Sequence, residues 1–179
     1  MTDSLLNDDP DPGERGVPAE DGDADEALET ILLPVGISDE GRIGSLADAA
    51  AQIAGPMCST VHVLHVFTDR GFERIAERLG YDTDLRPDPD EVVTRMLTVR
   101  EMTRALTSPF RNYGVTVEVE GRIADTVGSE IAAVADEIDA SRIVVGGRRR
   151  TPAGKALFGS TSQEVLLDAP CPVTFVPDS

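Results

Sequence analysis

Tryptophan is absent from the 179-residue chain, and aromatic residues make up only 4% of it. Any core must therefore be assembled from Val, Ile, Leu and Ala. Cysteine occurs twice, at Cys58 and Cys171, with no C-x-x-C pair. That excludes a disulfide framework and leaves buried thiols in a reducing compartment as the expectation. No apolar run approaches the ~20 residues of a membrane span, and no basic segment followed by an apolar run opens the chain. A soluble, cytoplasmic protein without membrane contact is expected. Lysine and arginine number 16 against 33 acidic residues, for a formal net charge of −17. With no broad basic surface to neutralise a phosphate backbone, a nucleic-acid partner is not expected.

The charge is uneven. Residues 1–29 hold eleven acidic residues and one arginine, a net of −10, which leaves −7 for the rest. Like charges repel and little apolar area is on offer there, so residues 1–28 read as an acidic, disordered tail. Its carboxylates lack the spacing of a calcium loop. Residues 29–179 read as one folded domain, long enough to bury a core.

Within that domain short apolar runs alternate with helical periodicity. The strands are Thr30 to Val35, Thr60 to Phe67, Val115 to Val119, Ile143 to Val145 and Cys171 to Val176. Helical spacing falls over Ser45 to Gly55, Phe72 to Leu79, Glu91 to about Arg104 (with Val92, Met96, Val99 and Thr103 on one side), and Thr126 to Glu137. Pro109 is expected to end or kink the third of these. Residues 68–90 make a long connection, a lid or a variable insertion. Asp39 and Glu40 are placed to cap the first helix. His62 and His65 stand three apart on a strand, point to opposite faces and cannot share a metal, so both read as structural. No metal site is expected. The alternation means βαβ units, hence an α/β fold with a parallel sheet covered on both faces. In such sheets ligands bind beyond the strand C-termini, where strand order reverses. That brings Pro34 to Gly36 opposite Gly146 to Arg149.

The richest stretch follows the fourth strand: Gly146-Gly147-Arg148-Arg149-Arg150, then Gly159-Ser160-Thr161-Ser162 opening a helix. Paired glycines allow a turn and close backbone approach. N–H groups and hydroxyls at a helix start attract anions. Arginines nearby suit a phosphate. The plainer alternative is a strand-to-loop turn and an ordinary helix cap. The spacing is neither a Walker A loop nor a dinucleotide fingerprint.

On Ile31-Leu32-Leu33-Pro34-Val35, Leu64-His65-Val66, Ile143-Val144-Val145-Gly146, Gly159-Ser160 and Ala169-Pro170-Cys171-Pro172-Val173, the chain resembles the universal stress protein family over residues 29–177. The resemblance implies an open five-stranded parallel sheet of order 3-2-1-4-5, Rossmann-like and akin to the adenine nucleotide α-hydrolases. It further implies a homodimer through the last strand, on Val173, Phe175 and Val176, and a small nucleotide-binding or regulatory protein of the stress response with ATP or AMP as ligand. Carried over by position, Pro34, Val35 and Val66 flank the base, and Val145, Gly146 and Arg148 lie under ribose and phosphates. Gly159, Ser160, Thr161 and Ser162 hold phosphate. Two residues depart from the ATP-binding pattern. Gly36 replaces an Asp that hydrogen-bonds the nucleoside, and Arg149 replaces the second glycine of Gly, two residues, Gly, nine residues, Gly-Ser.

No catalytic residue is assigned, because no general base pairs with the phosphate turn. The expectation is a nucleotide or phosphate binder of weakened or altered selectivity, not an enzyme. An interaction protein with a decayed site and a weak ATP hydrolase are the alternatives. For the last strand, a monomer edge guarded by Pro172 and Pro177 is the alternative to a dimer.

Overall fold

The computed structural model describes residues 29–57, 59–99, 102–147 and 159–177. The acidic tail, Cys58, Arg148 and Arg149 lie outside the described residues. Five strands, β1 (Thr30–Pro34), β2 (Thr60–Phe67), β3 (Thr116–Ile123), β4 (Arg142–Gly147) and β5 (Val173–Pro177), form one sheet of order β3-β2-β1-β4-β5, every pairing parallel. The helices are α1 (Ile43–Ala54), α2 (Asp69–Leu79), α3 (Pro89–Val99), α4 (Met102–Tyr113), α5 (Val127–Glu137) and α6 (Ser160–Asp168).

The central strands are apolar without a break because alternate residues enter different cores. Ile31, Leu33, Val61, Val63 and Val144 face a larger core with α1, α2, α3 and α4. Leu32, Leu64 and Ile143 face a smaller one with α5 and α6. α1 brings small residues to the sheet, with Ala47, Ala50, Ala51 and Ala54 all fully buried, so its backbone lies close over β1 and β4.

Several boundaries differ from expectation for visible reasons. The periodicity over 91–104 divides into two helices, which resets the phase and leaves Thr103 exposed while Met102, Leu106 and Phe110 are buried. Pro109 lies inside α4, which runs on to Tyr113 before Gly114 turns the chain at a φ of +67°. The connection after β2 is anchored, since Phe72 and Ala76 of α2 sit in the larger core. β3 is an edge strand as expected but longer, its register with β2 holding from Thr116 to Ile123. Pro89 of α3 backs onto it so closely that a Cβ on Gly121 would lie 2.4 Å from the Pro89 carbonyl oxygen. The Gly121 N–H donates to Asp90 Oδ1 at 2.7 Å, which blunts that edge.

Candidate functional site

β1 and β4 lie side by side at the centre of the sheet, and their connections leave in opposite directions. A crevice opens beyond their C-terminal ends, as the strand order requires. A cavity of about 380 Å³ occupies it, lined by Pro34, Val35, Gly36, Val66, Val145, Gly146, Gly159, Ser160, Thr161 and Ser162. Every described residue expected at the site thus borders one hollow; Arg148 and Arg149 are not among the described residues. The cavity also takes in Gly147, the second of the paired glycines, and Ser38, Asp39, Arg42, Leu64, Val127 and Ile131, which the sequence does not mark as ligand-binding.

The glycine pair does not form the turn that its composition suggests. Gly146 and Gly147 are still in β4, paired with Val176 and Pro177 of β5. They are needed for close packing instead. A Cβ on Gly147 would lie 2.6 Å from Phe175 Cε2, and one on Gly146 would lie 3.0 Å from Arg42 Nε and 3.1 Å from Leu46 Cδ2. Bare backbone therefore floors the cavity.

On one flank α6 begins inside the cavity wall. Ser160, Thr161 and Ser162 form its first turn, with Gly159 as N-cap and no side-chain cap. Ser160 and Thr161 line the cavity at this helix start, where uncapped backbone N–H groups favour an anion. Ser162 has a different task from that expected. Its buried hydroxyl donates to the Gly146 carbonyl at 2.9 Å and ties α6 to β4.

On the other flank a short 3-10 turn, Ile37–Arg42, follows Gly36. Asp39 does not cap α1. Its Oδ2 accepts from the Gly36 N–H at 2.7 Å, while its Oδ1 accepts from Arg42 Nε at 2.7 Å and pairs with Arg42 Nη2. The turn closes on itself because Asp39 N–H also donates to the Gly36 carbonyl at 3.0 Å. Spacing alone hid this, since Asp39 and Arg42 lie in what reads as a polar loop. The i, i+3 acid–base pair was the available signal.

The two histidines have structural partners. Val35 is pinned from both sides: its N–H donates to the Leu64 carbonyl at 2.8 Å, and its carbonyl accepts from His65 Nδ1 at 2.5 Å. The His65 ring also packs edge-on against Phe67, centroids 4.3 Å apart. His62, on the opposite face, places Nε2 2.5 Å from Glu120 Oε2 and Nδ1 3.5 Å from Glu118 Oε2. Arg122 completes that network with Glu120 and Glu137. Burial acts against its charge, and the Glu137 and Glu120 carboxylates more than offset it, so its guanidinium is held above its ordinary value. The cluster lies on β2, β3 and α5, away from the cavity lining.

A parallel sheet of this order with a hollow at its switch point defines an α/β protein of the doubly wound class. The Universal stress protein family profile matches residues 27–177, and the chain belongs to that family. A universal stress protein from Thermus aquaticus is 32% identical over 154 residues, 83% of this chain and 98% of its own length. One from Mycolicibacterium smegmatis is 38% identical over 67 residues, 37% of this chain and 52% of that protein, so this match spans about half of the relative's length. Among solved structures, a universal stress protein in complex with cAMP superposes with a TM-score of 0.56 at 20% identity, covering 85% of this chain and 98% of that one. The Archaeoglobus fulgidus universal stress protein in complex with dAMP gives 0.52 at 22% identity, covering 83% and 96%. These likenesses are of fold.

Proposed function

We propose that this chain binds an adenine nucleotide of the AMP type in the cavity between β1, β4 and α6, and serves as a nucleotide-responsive regulatory protein. The observation that carries the proposal is convergence. All ten described residues expected at the site line a single hollow, and its volume of about 380 Å³ falls in the range of small-molecule sites. The apolar part, Pro34, Val35, Leu64, Val66, Val127 and Ile131, suits a flat base. The α6 N-terminus with Ser160 and Thr161 suits a phosphate. That related folds have been solved with cAMP and dAMP supports a monophosphate over a longer chain.

Turnover is not part of the proposal. Among the described lining residues Asp39 is the one carboxylate, and both its oxygens are engaged by Gly36 and Arg42, which leaves it poorly placed as a general base. The proposal includes a homodimer through β5. Val173 packs towards the smaller core and Val176 towards the larger one, and every residue of β5 is only partly buried in the single chain. An edge strand in that state is completed by a two-fold partner strand.

Calorimetric titration with AMP and ATP tests the binding claim. One saturable site per chain, without release of phosphate from ATP, is the expected result. A fully silent titration favours the second reading, an interaction protein whose site decayed with Gly36, and phosphate release revives the hydrolase. Sedimentation velocity tests the dimer: a single species of one chain's mass overturns it.

A further inference from the structure

We infer that the nucleotide selected by this cavity carries a second phosphate on its ribose, and that Arg42 is the residue that selects it. The inference rests on the nucleotide reading above and adds the ligand class to it. Beyond Val35 the cavity is lined by Gly36, which has no side chain to accept a ribose hydroxyl. Nearby Asp39 does not refill the role. Its Oδ2 is taken by the Gly36 N–H and its Oδ1 by Arg42, and a Cβ added at Gly36 would come within 3.2 Å of Asp39 Oδ2.

What stands in the hollow on that flank is a guanidinium. Arg42 lines the cavity, and its Nε is 3.0 Å from where a Gly146 Cβ would be. Gly146 is the residue that the family resemblance sets beneath the ribose. Asp39 holds the guanidinium through Nε and Nη2, so it is positioned before a ligand arrives. A carboxylate accepts from ribose hydroxyls, whereas a guanidinium only donates, and its best partner is a phosphate oxygen. In dinucleotide-binding sheets an acid reads the ribose hydroxyl, and an arginine accommodates a ribose phosphate.

The geometry also keeps two anions apart. Successive strand residues face opposite sides. On β4, Gly146 faces Arg42 and Leu46, while Gly147 faces Phe175 and the Ser162 hydroxyl at the start of α6. A 5′-phosphate at α6 and a ribose phosphate at Arg42 therefore sit on different flanks of the same strand.

Calorimetry on the full chain decides this, with AMP, ADP, adenosine 3′,5′-bisphosphate and adenosine 2′,5′-bisphosphate against the native protein, Arg42→Gln and Arg42→Lys. The native protein is expected to bind one of the bisphosphates about tenfold or more tighter than AMP or ADP. Arg42→Gln erases that advantage, and Arg42→Lys keeps part of it. Bisphosphates no tighter than AMP in the native protein overturn the inference, and so does an advantage that persists in a folded Arg42→Gln. The native ranking decides alone if that variant does not fold. AMP binding without the preference leaves the nucleotide reading intact; silence from all four ligands sinks that reading, and this inference with it.

Discussion

Ser162 and Gly147 show how single positions hold the cavity open. The Ser162 hydroxyl donates to the Gly146 carbonyl, so Ser162→Ala removes a link between α6 and β4. The expected loss is about 0.5–1.5 kcal/mol in chemical denaturation; an unchanged midpoint would show the link to be idle. At Gly147 a methyl group would meet the Phe175 ring at 2.6 Å. Gly147→Ala is expected to cost about 1–3 kcal/mol, since the ring must leave its place over the strand. Cys171 makes a prediction of a different kind. Burial pushes its thiol above the ordinary value, and Arg142 only partly counters it. The thiolate is the reactive form, so burial that favours the neutral thiol moves reactivity to higher pH. Peptide-resolved alkylation of Cys171 should have a higher pH midpoint in the native protein than in the unfolded chain. A midpoint equal or lower contradicts the assignment.

Two helices do more than cover the sheet. α6 presents its first turn to the cavity and is seated against α5, where a Cβ on Gly128 would lie 2.4 Å from Glu164 Cβ and 3.2 Å from the Thr161 carbonyl. Those neighbours are backbone or tied to it, so Gly128→Ala must move α6. It is expected to lower stability by about 1–3 kcal/mol and to weaken AMP binding as well. Gly121→Ala, which presses on Pro89 at the far edge of the sheet, should destabilise without a selective effect on binding. Equal effects of the two on affinity would remove α6 from the site. At this scale the strands were readable because β1 and β4 carry unbroken apolar runs buried on both faces, and β2 is mostly apolar. The division into α3 and α4 was not, because two amphipathic stretches in close succession read as one period. The extension of β4 through Gly146 and Gly147 was hidden for a related reason: glycine reads as a turn unless its neighbours in space are known. Phe175, which needs the room, is 28 positions away.

The whole molecule is a sheet whose two central strands end at a shared hollow, and that is what the sequence made legible. The apolar strands, the glycine at the end of β4 and the hydroxyl run opening α6 were enough to place ten lining residues. The opposite flank was not legible. Ser38, Asp39 and Arg42 act through a turn that folds back on Gly36, and only coordinates bring an i+6 arginine over a strand more than a hundred residues later. The core that carries this arrangement is mostly aliphatic, with Phe67, Phe72 and Phe110 in its larger part, so its stability should respond steeply to truncation at the centre. Leu33→Ala, at a fully buried position of β1, is expected to cost about 2–5 kcal/mol by denaturant unfolding. The central claim, that the ends of β1 and β4 and the start of α6 form one ligand site, is tested most directly by amide NMR shifts during AMP titration. The account predicts saturable shifts at Gly36, Gly146, Ser160 and Thr161 with β3 and α3 unmoved. Shifts centred on any other face, or none at saturating AMP, contradict it.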